Sequence, residues 1–230
     1  EVNCIAIPED GTDSGQSVAS NSVIIQNTAP TITQPTITPN PADVTSSLQC
    51  LPGTISDVDP ADQGSLSIGY EWDINGVASS TTLDILSATE FARGDVVTCI
   101  TTPFDGTITG TPVSSNPITM QNAIPSITGV QLTPTTSYEA DTLTCTPSGW
   151  LDPDGDAEGY IYSWTVGGNT LTSATTNTLT GAFFNKGDDI SCTITPDDGL
   201  DSGSPLTSNT IIIQNTPPVL DSVSLGPNPA

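Results

Sequence analysis

Positive charge is almost absent from this sequence. Of its 230 residues, two are Lys or Arg and none is His, whereas 26 are Asp or Glu, so the formal net charge at pH 7 is −24. A surface of this sign repels the phosphates of nucleic acids and the anionic headgroups of lipids. We therefore expect neither nucleic-acid binding nor direct membrane insertion, and we expect the surface to attract cations.

Helical periodicity and long apolar runs are missing as well. No stretch sustains apolar residues at spacings of three and four, and no apolar run approaches the length of a membrane span. Short runs of alternating apolar and polar residues are instead bounded by Pro, Gly, Asn and Asp. This pattern predicts an all-β protein. Because the chain also lacks a His to act as a general base, we predict that it is not an enzyme.

The sequence does contain an internal repeat of about 94 residues. In each copy a Cys is followed by Pro, an Asp-Gly turn, a Ser-Asn pair and a Gln-Asn pair that closes the copy 23 residues after the Cys. The closing residues are Asn27, Asn122 and Asn215. These landmarks predict the C-terminal part of one repeat at 1–27, complete repeats at 28–122 and 123–215, and the N-terminal part of a further repeat at 216–230.

The two incomplete ends lead us to expect a longer natural array. The triplet at 40–42, Asn-Pro-Ala, recurs letter for letter at 228–230. Each junction, from a closing Asn to the Pro that follows it, spans three or four residues: Asn27 to Pro30, Asn122 to Pro125 and Asn215 to Pro218. Because so short a connection leaves little slack and Pro stiffens it, we expect the repeats to be arranged end to end.

The five Cys residues fall at fixed places in the repeat. Cys50 lies 49 residues before Cys99, and Cys145 lies 47 before Cys192. One disulfide per repeat accounts for both pairs, and it leaves Cys4 with a partner outside this sequence. A metal site would need closer Cys pairs or a His. Disulfides in turn imply an oxidising compartment, so we expect the protein to be extracellular or on the cell surface.

A Trp lies between the two Cys of each complete repeat, at Trp72 and Trp164. Large apolar side chains recur at every second position around it, so one face of that strand is apolar. Cys, Trp and Cys in this order, within about seven short strands, predict a two-sheet sandwich whose disulfide joins the sheets and packs against the Trp.

The same residues resemble a known group of domains. Phe-x-[Arg/Lys]-Gly-Asp precedes the second Cys, Asp-Gly follows it, and Gln-Asn-x-x-Pro forms each junction. This pattern is similar to the immunoglobulin-like fold in tandem PKD-like and cadherin-like repeats of large prokaryotic extracellular surface proteins. The resemblance covers the whole chain and implies tandem two-sheet sandwiches in an extracellular setting.

Acidic residues alternate in the loop after the first Cys. Asp at every second position places several carboxylate oxygens around one point, an arrangement that suits Ca²⁺, and calcium is the only cofactor we expect. The alternative is a solvated turn stabilised by Asx hydrogen bonds. Asp10, Asp105 and Asp198, each just before a Gly, are possible additional ligands from a neighbouring turn. The candidate ligands of the loops themselves are Asp152, Asp154, Asp156 and Glu158 in the second complete repeat, and Asp57, Asp59 and Asp62 in the first.

Three further residues stand out. Arg93 and Lys186, the only basic residues, share one slot six positions before the second Cys. We expect each to form a salt bridge across a turn, between domains or between chains. Trp150 stands where the first repeat has Ile55, and it suits either stacking on a sugar or capping the core.

These observations support two classes of function. The first is a structural segment of a secreted, repetitive extracellular fibre, stalk or surface coat, able to assemble into a filament or sheath with neighbouring copies of itself as partners. The alternative is an adhesin or carbohydrate-binding array with a glycan or cell-surface ligand, or the spacer domains of a large secreted hydrolase.

Overall fold

The structure is a computed structural model that describes residues 1–226. The chain divides into two compact units. The first comprises Glu1–Ala42 and Ser46–Met120, and the second comprises Asp43–Thr45 and the chain from Gln121 onward. The repeat boundaries inferred from the sequence remain predictions, and the Asn-Pro-Ala triplet at 228–230 lies outside the described residues.

The described residues form short strands and a single 3₁₀ turn, Gly181–Phe183, without any α-helix. The strands of the first unit are β1 (Ile5–Ala6), β2 (Val18–Ala19), β3 (Thr31–Ile32), β4 (Thr36–Thr38), β5 (Leu48–Leu51), β6 (Ile55–Ser56), β7 (Ser67–Ile74), β8 (Val77–Ala78), β9 (Ile85–Leu86), β10 (Val96–Phe104), β11 (Val113–Ser114) and β12 (Ile118–Thr119). Those of the second are β13 (Gly129–Thr133), β14 (Ser137–Tyr138), β15 (Thr142–Ser148), β16 (Tyr160–Val166), β17 (Asn169–Leu171), β18 (Thr178–Thr180), β19 (Asp189–Pro196), β20 (Leu206–Thr207) and β21 (Ile211–Gln214).

Each unit contains a sandwich of two sheets. In the first unit, β4-β5-β9 form one sheet and β11-β10-β7-β8 the other, with β12 also paired to β10. In the second unit, β13-β15-β18 form one sheet, and β14-β21-β19-β16-β17 form the other, with β20 paired to β19. The pairs are antiparallel except β14 with β21, which is parallel. The chain is therefore a tandem of immunoglobulin-like all-β sandwiches, as predicted.

Both predicted disulfides join the two sheets of a sandwich. Cys50 on β5 bonds Cys99 on β10, with their Cα atoms 6.0 Å apart. Cys145 on β15 bonds Cys192 on β19, with Cα atoms 6.3 Å apart. All four side chains are almost fully buried. Disulfides in the core indicate a protein that folds in an oxidising compartment.

The two Trp residues occupy the predicted place beside these disulfides. Trp72 lies opposite Cys99 in the β7–β10 pair, and Trp164 lies opposite Cys192 in the β16–β19 pair. Both rings are fully buried, so their indole N–H groups need acceptors. Each donates to a backbone carbonyl oxygen 2.9 Å away, that of Leu83 or Thr176.

The Ser-Asn pair that marks each repeat stabilises the strand of the second Cys. The hydroxyl of Ser115 accepts a hydrogen bond from the backbone N–H of Cys99 at 3.1 Å and donates one to the carbonyl of Asn116. Ser208 does the same at Cys192. This marker therefore has a structural cause, since it satisfies backbone groups that would otherwise lack partners.

The Phe-x-[Arg/Lys]-Gly-Asp segment is likewise a structural turn. Its Phe side chain is buried in both copies, and its Gly residues, Gly94 and Gly187, have φ angles of 86° and 88°, a region that favours glycine. The Asp at its end accepts a backbone N–H at 2.7 Å, Asp95 from Ala92 and Asp188 from Asn185.

The Pro that opens each complete repeat packs closely against its own sandwich. A Cβ on Gly110 would lie 2.0 Å from the carbonyl oxygen of Pro30, and one on Gly203 would lie 1.9 Å from that of Pro125. Both Pro residues are buried. Among the described residues, none belongs to a helix with the length and apolar character required to span a membrane.

Candidate functional site

The acidic loops lie at matching places in the two units, just before the strand that carries the buried Trp. Residues 57–62 precede β7, and residues 152–156 precede β16. Within each loop the three Asp residues are half-buried. One carboxylate oxygen from each of Asp57, Asp59 and Asp62 lies within 4.8 Å of the other two, and Asp152, Asp154 and Asp156 are arranged in the same way. The structure thus brings together six of the seven predicted ligands as two groups of three.

In the first loop, hydrogen bonds use only one of the two carboxylate oxygens of Asp57. The N–H of Asp59 donates to Asp57 Oδ1 at 2.7 Å, as in an Asx turn. Gln63 donates its side-chain amide to the Asp57 carbonyl, also at 2.7 Å. Asp57 Oδ2 is buried and accepts no hydrogen bond within the described part of the chain.

The second loop has a more complete turn. Three consecutive backbone N–H groups, from Asp154, Gly155 and Asp156, donate to Asp152 Oδ1 at 2.8, 3.0 and 3.3 Å. One oxygen of this loop therefore takes part in an Asx turn. Two others, Asp152 Oδ2 and Asp154 Oδ1, are buried without a hydrogen-bond donor in residues 1–226.

A neighbouring turn places a further negative charge close enough to act on the first loop. Asp105, in the Asp-Gly turn after β10, is only 1 % exposed. Burial raises the pKa of Asp105, but hydrogen bonds from the backbone of Ile108 and Thr107 and from the Asn27 amide outweigh it, so its pKa is lowered and the group is ionised. The pKa of Asp62 is raised, first by desolvation and then by the negative charge of Asp105.

The closing Asn residues bind these turns, which the sequence interpretation missed. Asn27 donates its side-chain amide to Asp105 Oδ2 at 2.8 Å and to Thr107 at 2.9 Å. Asn122 donates to Asp198 Oδ2 at 2.8 Å and to Asp201 at 3.0 Å. The sequence signal for these contacts is the constant spacing of 23 residues from Cys to closing Asn, which we had interpreted only as a marker of the repeat.

The backbone next to each closing Asn contacts the acidic loop itself. The N–H of Thr28 donates to Asp59 Oδ2 at 2.8 Å. The N–H of Ala123 donates to Asp154 Oδ2 at 2.6 Å. Each loop therefore holds the first residues of its own repeat through a carboxylate that also belongs to the acidic group.

The seventh predicted ligand lies apart from this arrangement. Glu158 is exposed and accepts a hydrogen bond from the hydroxyl of Tyr160, outside the group of three. Burial, and then this hydrogen bond, raises the pKa of Tyr160. Trp150 packs edge-on against Tyr160, with ring centroids 5.6 Å apart, and contacts the buried core. The half-buried Trp150 thus caps the core.

The two basic residues differ in their surroundings. Lys186 is exposed and donates from Nζ to Asn215 Oδ1 at 3.1 Å. Arg93 is half-buried. The salt bridges between domains or chains that the sequence suggested for them remain predictions.

The partial copy at the start of the chain contains the same Asp-Gly turn, at Asp10. Asp10 Oδ1 accepts the N–H groups of Thr12 and Asp13 at 3.0 and 2.9 Å. These hydrogen bonds, led by that of Asp13, lower the pKa of Asp10 to about 2. Cys4 is exposed and forms no disulfide within the described residues.

No family model matches the chain, and no curated protein matches it by sequence. Solved structures with a similar course include two fibronectin type III domains of chicken tenascin, at 14 % identity and a TM-score of 0.39, with 81 % of this chain and 98 % of that one covered. Chicken CNTN1 FN1–FN3 domains give 14 % and 0.33, covering 82 % of this chain and 66 % of that one, just under two thirds.

Domains A168–A170 of titin are similar at 9 % identity with a TM-score of 0.36, covering 87 % of this chain and 71 % of that one. TM-scores below 0.5 are too low to assign this chain to any of these groups. The assignment as tandem sandwiches rests on its own sheets and disulfides.

Proposed function

We propose that this chain is a structural segment of a secreted, repetitive extracellular fibre, stalk or surface coat. The observation that supports this most strongly is the buried disulfide in each sandwich, placed between the sheets in the same way in both. Repetition of one closed, cross-linked domain provides length and resistance rather than a varied binding surface.

The position of the disulfide limits how far a repeat extends under tension. Cys50 and Cys99 are 49 residues apart, and Cys145 and Cys192 are 47 apart. A pull on the two ends of a repeat cannot extend the segment between its Cys residues while the bond is intact. About half of each repeat is therefore shielded from mechanical unravelling.

The surface and the connections fit the same role. A net charge of −24 keeps the protein soluble and opposes non-specific collapse of neighbouring chains. The buried Pro30 and Pro125 lie against Gly110 and Gly203, so each repeat begins with a residue fixed to its own sandwich. Proline-containing linkers of three or four residues favour an extended array.

Single-molecule force extension of the full chain tests this function. Each rupture of a complete oxidised repeat should release about 160 Å of chain, and each rupture after reduction about 330 Å, at ~3.5 Å per residue and before the folded length is subtracted. Equal release under both conditions would show that the disulfides do not carry the load.

The wider role needs a second measurement on native material. Electron microscopy of the cell surface with an antibody to this chain should label a fibre, stalk or coat that persists after washing. Label confined to a dispersed soluble fraction would contradict a structural role.

A further inference from the structure

The acidic loops contain buried negative oxygen atoms that the protein itself leaves unsatisfied. Asp57 Oδ2 in the first loop, and Asp152 Oδ2 and Asp154 Oδ1 in the second, are buried and accept no hydrogen bond from the residues described. A buried carboxylate oxygen without a donor is costly, because it has lost water and gained nothing in return. Such atoms point to a ligand that supplies positive charge.

The negative charges around the loops make a bound cation more favourable still. In the first loop Asp57, Asp59 and Asp62 lie together, and the buried Asp105 adds its negative charge to theirs. The chain has two basic residues in all, and neither lies in these loops. Mutual repulsion among the carboxylates therefore opposes the folded loop until a cation binds.

We propose that each complete repeat binds one Ca²⁺ ion in this loop, through Asp57, Asp59 and Asp62 in the first and Asp152, Asp154 and Asp156 in the second. The donors are all hard oxygen atoms, which excludes the metals that select thiolate or imidazole. Two oxygens on one Ca²⁺ ion are at most ~5 Å apart at the usual bond lengths. Separations within 4.8 Å in each group meet that limit.

Ca²⁺ fits these loops better than Mg²⁺. Ca²⁺ accepts six to eight oxygens in an irregular arrangement and takes water where protein ligands are lacking, whereas Mg²⁺ requires a near-regular octahedron and gives up its water reluctantly. Three half-buried carboxylates from a turn of five or six residues make an irregular site. Ca²⁺ binding by these loops does not depend on whether the chain is part of a fibre.

The same ion stabilises the start of each repeat. Asp154 Oδ1 is buried and accepts no hydrogen bond from the described residues, whereas Asp154 Oδ2 accepts the backbone N–H of Ala123 at 2.6 Å. An ion on one oxygen fixes the other. Asp59 holds the N–H of Thr28 in the same way at 2.8 Å. Ca²⁺ should therefore reduce the exposure of these two linker amides.

An NMR titration of the full chain with CaCl₂ tests the site. The Gly155 amide, which donates to Asp152, should shift with a Kd of roughly 10⁻⁴–10⁻³ M, the range of extracellular calcium modules. We expect Asp154→Asn to weaken that Kd at least ~10-fold, which is the loss of about 1.4 kcal/mol. Resonances of the first loop should still titrate, and Asp189→Asn, an exposed carboxylate on β19, should leave both sites unchanged.

Hydrogen exchange measures the effect of Ca²⁺ on the linker amides separately from Ca²⁺ binding itself. Ca²⁺ should slow exchange of the Ala123 amide in the unmodified chain and in Asp189→Asn, but not in Asp156→Asn, which keeps the acceptor on Asp154. The indole signal of Trp164 reports that each variant is folded. An unshifted Gly155 amide at 10⁻² M CaCl₂, an equal response to MgCl₂, or an equal Kd in Asp154→Asn overturns the proposal.

Discussion

The acidic loops of the two complete repeats occupy the same position but are built differently. In the second loop three backbone N–H groups converge on Asp152, and Gly155 adopts a φ of 78° that permits the tight turn. In the first loop a single backbone N–H binds Asp57, and the third carboxylate, Asp62, lies one position further along the chain than its counterpart.

The two loops also differ in what surrounds them. Asp105, beside the first loop, is almost completely buried, whereas its counterpart Asp198, beside the second, is half-buried. The second loop is thus organised in advance by hydrogen bonds, and the first has the higher density of negative charge. We infer that the second should bind a cation with less rearrangement, and that the first should lose more stability without one.

The largest effect should come from the disulfides, which the two repeats share. Replacing Cys145 and Cys192 together by Ala should destabilise the second sandwich by about 4 kcal/mol, because the unfolded chain regains the entropy of a loop of this length. Removing Cys50 and Cys99 should cost the same within about 0.5 kcal/mol, since the loop lengths differ by only two residues. Urea denaturation of each variant measures both.

Cys4→Ala is the matched control, because this Cys is exposed and outside both cores. It should leave both transitions unchanged. Clearly unequal losses for the two disulfides would show that the sandwiches are less alike than their sheets suggest.

The next effect concerns the close approach of glycine to the opening Pro. Gly110→Ala should destabilise the first sandwich by about 1–3 kcal/mol, because the new methyl group would overlap the Pro30 carbonyl oxygen and shift the backbone. Gly203→Ala should do the same at Pro125 in the second. Thermal unfolding measures the loss in each.

Gly64→Ala provides the reference for these two substitutions. A Cβ at Gly64 meets no atom within 4 Å, and its φ is not positive. The substitution should therefore be neutral or slightly stabilising. If Gly110→Ala were equally harmless, the opening Pro would not be fixed to the sandwich.

Much of the fold could be predicted from the sequence because its signals are local or periodic. Along β10 the side chains of Val97, Cys99 and Thr101 alternate with less buried neighbours and form one buried face, as a period of two requires. The Cys–Trp–Cys order identified both disulfides and both core rings. The three Asp residues of each loop come together because they lie within one turn of five or six residues.

The contacts that were missed join residues far apart in sequence. Asn27 and Asp105 are 78 positions apart, and Asn122 and Asp198 are 76 apart. Only the assembled sheets bring such turns together. Glu158 lies outside the group of three for a different, local reason, since the hydroxyl of Tyr160, two residues along the chain, donates a hydrogen bond to it.

A smaller effect should be a change in the Tm of the first sandwich whose sign depends on whether Ca²⁺ is present. Without divalent cations Asp62→Asn should raise the Tm of the first sandwich, because it removes one of several repelling charges from a half-buried group. Because our proposal makes Asp62 a Ca²⁺ ligand, the variant should instead have the lower Tm in saturating CaCl₂. Calorimetry with EDTA or CaCl₂ gives both values.

The comparison with the second loop sharpens this test. Asp156→Asn should produce a smaller rise in Tm in EDTA, because the hydrogen bonds to Asp152 already stabilise that turn. A fall in Tm for Asp62→Asn in EDTA would mean that repulsion is not the dominant interaction in the first loop.

The smallest effect should be a pKa change at the turn that binds the closing Asn. The amide of Asn122, followed by the backbone N–H of Asp201, lowers the pKa of Asp198. A carboxyl group with a lowered folded-state pKa stabilises the fold above its ordinary pKa and loses that contribution as the pH falls through the folded value. Asn122→Ala should raise the pKa of Asp198 and reduce stability near neutral pH, but not at strongly acidic pH.

Carbon-13 NMR titration of the Asp carboxylates measures this change, with Asp10 as an internal reference. The Asp10 turn holds its pKa at about 2 through its own backbone, so Asn122→Ala should leave it where it is. If the Asp198 pKa also stayed unchanged, its turn would be as self-sufficient as that of Asp10. The closing Asn would then mark the repeat without stabilising the turn.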